Sequence, residues 1–298
     1  MSAGAIQTDK VLTELARQVK KGECVLFLGA GVHAPPPDGA AYPSELGPLL
    51  GGALAEKLAQ ECSYGEKLPQ ESPRDLQRVS LCFENTQGLG RAKLIDYLDE
   101  YLMKGKKPSP ILKMLAALPI RIFVTTNYDR LLESALHQQE KDPTVVVYDP
   151  EASKPTRDPS DDPTEERPLL FKMHGDLQQS DSIVITDEDY ITFVQRMSDK
   201  GELHPVPGTI RYRMSKWPTL FLGYSLRDYN LRLLFRTLRW RVDPSNFPPS
   251  FSIDRYPDPL ILQVWQNTRK FITFVPEDLW SFVPWLYKEV RGKAYGDA

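Results

Sequence analysis

The chain has 298 residues, a hydrophobic fraction of 41% and a net charge of −3, enough apolar residue for a proper core and no electrostatic footprint for nucleic acid. Its three cysteines, Cys24, Cys62 and Cys82, stand far apart with no C-x-x-C pair, which excludes a four-cysteine zinc site and a disulfide framework. No apolar run approaches the roughly 18 residues of a membrane span, and Met1 to Val11 lack a signal-peptide pattern, so a cytoplasmic α/β protein without membrane contact is expected.

Residues 8–20 read as a helix, with Val11, Leu12, Leu15, Ala16 and Val19 on one face and Gly22 as its stop. The run Cys24-Val25-Leu26-Phe27-Leu28 carries no charge and ends at Gly29-Ala30-Gly31. Such a run reads as a strand buried on both faces, the habit of a parallel sheet. Gly29 and Gly31 have no Cβ, so backbone N–H groups there can approach a phosphate closely. A tight turn with no ligand explains the stretch about as well.

Gly29-Ala30-Gly31-Val32-His33-Ala34 also fits the G-x-G-x-x-A fingerprint of dehydrogenases. That fingerprint requires a helix at the turn and an acidic residue about 20 residues on. Pro35, Pro36 and Pro37 forbid the helix. Residues 45–60 read as a helix where a second strand is needed. The dehydrogenase reading fails on both counts.

Further helices are predicted over 74–84 and 90–103, making 33–118 a helical insertion, with a short helix over 109–118 stopped by Pro119. Ile120 to Val124 is a strand ending in Thr125-Thr126-Asn127-Tyr128-Asp129, followed by a helix over 130–138. Thr144 to Tyr148 is another strand. Residues 149–168 are rich in Pro, Asp and Ser and read as a mobile loop, placed to cover a crevice. Leu169 to Met173 is a strand running into His174-Gly175-Asp176, and Ser182 to Ile185 a short one. Thr186 with Asp189 forms a capping box for a helix over 187–197, and 205–215 is a further helix, giving a second insertion at 187–217. Thr219 to Leu222 is a strand ending in Gly223-Tyr224-Ser225, with a helix over 228–241 after it. A second irregular loop is expected over 243–259, then strands at Leu260–Val264 and Phe271–Val275 and a C-terminal helix from Pro276. Its aromatic stretch, Trp280 to Tyr287, offers either a partner surface or packing on the sheet. The alternation predicts one doubly wound, mostly parallel sheet of six to seven strands over residues 1–298.

Four predicted strands end in polar or glycine turns: Gly29–Gly31, Thr125–Asp129, His174–Asp176 and Gly223–Ser225. In an open parallel sheet, ligands sit outside the carboxyl ends of the strands, so these turns are expected to face one crevice. Among them His174 has the side chain that titrates near neutrality. Asn127 offers both a donor and an acceptor, and also stands where a helix cap is needed. His33 reads as a loop-lining residue, while His137 and His204 look like ordinary helix and loop residues. Asp228 serves equally well as a plain N-cap or a site residue.

The ordered set GAG, TTNYD, MHGD and LGYSLRDYNLR resembles the sirtuin-like NAD-consuming domains, and most closely the zinc-free branch found in prokaryotic antiphage proteins. The resemblance spans about residues 8–290. It implies a Rossmann-like, sirtuin-type fold and NAD⁺ as substrate, with no metal. Carried over position by position, it implies that Gly29, Ala30 and Gly31 cradle the phosphates. Asn127 then holds the nicotinamide ribose and orients water, and His174 is the general base. Asp129 supports its turn or contacts the nicotinamide pocket, and Gly223, Tyr224 and Ser225 meet the adenosine half. The sirtuin segment after GAG is replaced here by Ala41-Tyr42-Pro43-Ser44-Glu45-Leu46, without its arginine.

The activity implied is NAD⁺ glycohydrolysis to nicotinamide and ADP-ribose, in an NAD⁺-depleting antiphage response. Protein deacylation or ADP-ribosyl transfer, and a non-catalytic NAD⁺ or ADP-ribose module, are the alternatives. A toxic activity must be held off at rest, so a homo-oligomer or a sensor or motor-ATPase partner is expected.

Overall fold

A computed structural model describes residues 3–38, 40–151, 156, 158–198, 204–224, 226, 248–266 and 272–297. The predicted helix over 228–241, with Asp228, and Ser225 lie outside them. Seven strands form one sheet: β1 (Val25–Leu28), β2 (Ile122–Thr125), β3 (Thr144–Val147), β4 (Leu169–Lys172), β5 (Thr219–Leu222), β6 (Ser250–Ile253) and β7 (Ile272–Val275). Every pairing is parallel and the order is β3-β4-β2-β1-β5-β6-β7.

The uncharged strand sequences follow from burial on both faces. Along β1, Leu26 and Leu28 enter one core with Phe123, Leu170, Leu220 and Phe251. Val25 and Phe27 enter the opposite core with Ile122, Val124, Phe171 and Phe221. The first core is closed by α1 (Ala3–Lys20), α6 (Pro110–Ala116), α7 (Leu131–Gln138) and the C-terminal helix α11 (Leu279–Arg291). The second is closed by α8 (Asp187–Met197), α9 (Gly208–Met214) and α10 (Pro259–Gln266). Phe282, Val283, Leu286 and Tyr287 are buried in the first core, so the aromatic C-terminal helix packs on the sheet.

Between β1 and β2 the chain builds α2 (Gly51–Glu61), α3 (Tyr64–Lys67), α4 (Leu76–Glu84) and α5 (Arg91–Leu102), which share a third core with Leu54, Leu58, Val79, Phe83, Leu94 and Leu98. The structure divides the helix expected over 45–60. Pro48 drives Gly47 into an extended conformation, leaving a short turn at Ser44–Leu46 and starting α2 only at Gly51.

Three expectations are corrected. Ser182 to Ile185 is not a strand. Its backbone groups bond to the Tyr128 hydroxyl, Arg91, Asp189 and the His174 carbonyl instead of a ladder. Ser250–Ile253, inside the stretch expected to be a loop, is β6: Leu220 pairs with Phe251 and Leu222 with Ile253 in the sheet interior. Leu260–Val264, expected as a strand, lies in α10. Asp258 caps that helix through the Leu260 N–H at 2.8 Å, and Pro259 takes its first position. The capping box at Thr186 and Asp189 forms as expected. Within 149–168, Asp158 accepts from the Thr209 N–H at 2.8 Å and Asp162 pairs with Arg213. Among the described residues of that stretch, none lines the cavity described below.

Candidate active site

Chain order and strand order together create the site. From β4 the chain crosses back over β2 and β1 to β5, so the connections leave β1 in opposite directions and a crevice opens at its carboxyl end. The two glycine turns meet there. Gly31 donates its N–H to the Gly223 carbonyl at 2.8 Å, and Gly29 donates to the Leu222 carbonyl at 3.0 Å. A Cβ on Gly31 would stand 2.8 Å from the Gly223 oxygen, and Gly223 itself has φ +65°. The glycines are therefore required by a backbone crossing, and the N–H groups of Gly29 and Gly31 are already committed within the protein.

The Thr125–Asp129 turn is held by its own side chains. The Thr125 hydroxyl donates to the Leu28 carbonyl and accepts from the Asn127 N–H at 3.1 Å. Asp129 Oδ1 accepts from the Leu131 N–H at 3.0 Å, so the first turn of α7 is capped by Asp129 and not by Asn127. Asn127 reaches back across β1 instead. Its Nδ2 lies 3.4 Å from the Gly29 carbonyl oxygen and 3.2 Å from His33 Nε2. The same His33 nitrogen is 3.1 Å from Asp129 Oδ2. His33 and Asp129 have side chains only 5% and 6% exposed.

Lys172, the last residue of β4, anchors this turn from below. It is fully buried and donates to the Asp129 carbonyl at 2.6 Å. Its ammonium pairs with Glu133 at 3.0 Å and Asp176 at 3.1 Å. One buried cation thus ties the turn bearing Asn127 to the strand end bearing His174. Burial acts against the charged form of Asp129, but the His33 ring, Lys172 and the Leu131 N–H outweigh it and hold the carboxyl below the usual carboxylate range. For Glu133 burial wins, and its carboxyl is pushed up despite Lys172.

His174 follows two residues later and is 4% exposed. Its ring sits edge-on to Tyr190 and Phe193, with centroids 5.3 and 5.2 Å away, and the Tyr190 hydroxyl is 3.5 Å from Nδ1. Both aromatics come from α8, whose first turn is tied to the helical insertion: Arg91 of α5 bonds Asp189 and Glu84 at 2.8 Å each.

These pieces enclose one cavity of about 420 Å³. Its polar wall contains Ala30, Gly31, His33, Asn127, Asp129, His174, Gly223 and Tyr224, and its apolar wall is Leu49, Leu50 and Leu54 with Leu76 and Leu102 from the insertion. Of the residues singled out from sequence for the site, seven of the described ones therefore border a common space, while Gly29 stands behind it. A second cavity of about 270 Å³ shares Gly31, Gly223 and Tyr224 with the first and runs to Asp254, Arg255 and Trp280. Sequence reasoning left out Lys172 and read His33 as only lining the loop. Lys172 carries a visible signal, a lone charge inside an otherwise apolar strand that needs buried partners. His33 carries none beyond its place beside the glycine turn. Among the described residues, no three His, Cys, Asp or Glu side chains gather as a metal-holding group, and no helix is long and apolar enough to cross a membrane.

Comparison with known proteins agrees with this architecture. The chain is 25% identical over 303 residues to NAD(+) hydrolase ThsA of Enterococcus faecium, covering 95% of this chain and 58% of that protein. It is 28% identical over 232 residues to NAD(+) hydrolase ThsA of Bacillus cereus, covering 76% and 42%. To Defense-associated sirtuin 2 of Bacillus subtilis it is 25% identical over 254 residues, covering 84% and 22%. The chain thus spans about half the length, or less, of the curated relatives it matches. A family model described as a SIR2-like domain matches residues 121–272, from β2 to the start of β7 and so through the His174 and Gly223 turns. The strand order, the converging turns and this match identify the chain as a member of the SIR2-like domain family.

Proposed function

We propose that the crevice hydrolyses NAD⁺ at the nicotinamide–ribose bond, releasing nicotinamide and ADP-ribose. The observation that carries this reading is the convergence of Asn127 and His174, from the ends of β2 and β4, on one cavity floored by the Gly31–Gly223 crossing. Names of the relatives support it, since several are NAD(+) hydrolases.

The larger cavity takes the nicotinamide and its ribose. Asn127 holds the ribose and the attacking water. His174 accepts a proton from that water or from a ribose hydroxyl as the bond to nicotinamide breaks. Such a base is worth roughly 10²–10⁴-fold. Leu49, Leu54, Leu76 and Leu102 keep bulk water from the reacting bond. Gly29, Ala30 and Gly31 border the phosphates. The adenosine half follows Gly223 and Tyr224 into the second cavity, so one extended dinucleotide spans both. The substrate class needs no metal. The setting is cytoplasmic NAD⁺ depletion during antiphage defence, with activity restrained by self-association or by a sensor or motor-ATPase partner.

The test is incubation with NAD⁺ and chromatography of the products, alongside His174→Ala and Asn127→Ala. Nicotinamide and ADP-ribose should appear in equal amounts, with release slowed about hundredfold or more in either variant. Turnover that appears only when an acyl-lysine peptide or acceptor protein is added would replace hydrolysis by deacylation or transfer. NAD⁺ binding without turnover, unchanged by His174→Ala, would make the domain a binding module.

A further inference from the structure

We propose that His33 is the positioning residue that sets which end of the Asn127 amide is offered to the ligand. The observation is a conflict at one nitrogen. His33 Nε2 is 3.1 Å from Asp129 Oδ2, which only accepts, and 3.2 Å from Asn127 Nδ2, which only donates. A ring nitrogen carries either a proton or a lone pair, so it satisfies one of these neighbours at a time.

With Nε2 bare, Asn127 Nδ2 donates to it and to the Gly29 carbonyl 3.4 Å away, and Oδ1 is left over. Oδ1 is shielded from solvent and has no hydrogen-bond partner among the described residues. With Nε2 protonated, the ring donates to Asp129, Nδ2 loses an acceptor, and the amide gains by turning its oxygen toward the ring. The atom left over is then a donor. A proton on His33 Nε2, carried by the imidazolium and by the neutral Nε2–H tautomer alike, therefore converts Asn127 from an acceptor into a donor at the cavity wall. A ribose hydroxyl or a water that must be held through its proton needs the acceptor, so the ring with Nε2 bare and its proton on Nδ1 is the productive form.

The groups that face this pair are few. Asp129 meets His33 directly. Lys172 of β4 bonds the Asp129 carbonyl and is itself paired with Glu133 of α7 and Asp176. His174 and Tyr190 line the same cavity from β4 and α8. His33, two residues beyond the Gly29-Ala30-Gly31 turn, meets Asp129 and Asn127 through its ring nitrogen.

The consequence for catalysis rests on the hydrolase reading above, whereas the switch in Asn127 does not, and the experiment separates them. The full chain is labelled with ¹⁵N, and the Asn127 side-chain amide is identified by its loss in Asn127→Asp. Its signals are followed as the pH is lowered stepwise. A single transition is expected, kept in His174→Gln and abolished in His33→Gln. In Asp129→Asn the transition should change, because the carboxylate that accepts the Nε2 proton is gone. This second variant decides the matter if His33→Gln fails to fold. Absence of any transition in the wild type, or its persistence in folded His33→Gln, overturns the proposal. In the parallel NAD⁺ assay, His33→Phe should release nicotinamide about tenfold more slowly, the effect of one lost hydrogen bond at the site. Activity falling into acid should depend on two protons in the wild type and one in His33→Gln. A wild type that shows the Asn127 transition but releases no nicotinamide refutes the hydrolase reading and leaves the His33 assignment standing.

Discussion

The strand-end turns and the helical insertion face each other across one cavity, and they are built on opposite principles. The turns carry the polar side chains, and most of these have a partner inside the protein: Asp129 with His33, Lys172 with Glu133 and Asp176, His174 with Tyr190. The insertion has its own apolar core and contributes mainly leucines to the cavity, with Pro48 and Gly51. Polar bonds are directional and fix atoms to within fractions of an ångström, which suits groups that must handle a proton. Apolar packing is tolerant of shape and excludes water, which suits a wall. Chemistry therefore sits on the rigid sheet, and enclosure is delegated to a unit joined to it through Arg91, Asp189 and the buried Tyr128 hydroxyl.

The contrast breaks most severely at Lys172. Replacing it by methionine leaves Glu133 and Asp176 buried without their cation and the Asp129 carbonyl without its donor. A loss of about 3–5 kcal/mol is expected in urea unfolding, together with loss of NAD⁺ turnover. A loss below about 1 kcal/mol would mean that the turn is held by its local bonds alone.

On the insertion side, Leu54 is 2% exposed and belongs both to the third core and to the cavity wall. Leu54→Ala should cost about 2–5 kcal/mol of stability. In enzyme kinetics at a temperature where the variant is folded, it should raise KM more than it lowers kcat, because no group that handles a proton moves. The reverse split would give the insertion a direct part in the chemistry.

The smallest effect separates the carboxylates by pH. Asp129 is held below its ordinary range, so it stabilises the fold above the unfolded-state value of about 3.9, and that stability is lost as pH falls below it. Glu133 is pushed the other way, so its ionisation opposes folding as pH rises past the ordinary value of about 4.3. Asp129→Asn should therefore be less stable than the wild type at pH 7 and converge with it in acid, and Glu133→Gln should gain relative to the wild type between those limits. Thermal unfolding across the acid range reads both, and parallel curves for Asp129→Asn and the wild type would contradict the first.

Much of the polar half was legible because its residues have no other reason to stand where they do. A histidine at the end of an apolar strand and an asparagine at the end of another point to a crevice once the sheet is known to be parallel. What escaped was long-range pairing. His33 acquires its meaning only from Asp129 and Asn127, nearly a hundred positions on. The insertion leucines that wall the cavity carry the same pattern as core leucines, and only the break at Pro48 turns Leu49 and Leu50 toward it. Two elements near the C-terminus were misread for local reasons. The alternation Ser-Phe-Ser-Ile of β6 follows two prolines that suggest a loop. The apolar run of α10 suits either period, and the decisive signal was the Asp258-Pro259 start.

The central claim is that one ligand touches both regions at once. Hydrogen exchange of the His174→Ala variant, with and without NAD⁺, tests this directly because the ligand is not consumed. The account predicts slowed exchange both in peptides covering 125–131 and in those covering 49–55. Protection confined to the strand-end turns, with the insertion unchanged, would contradict it.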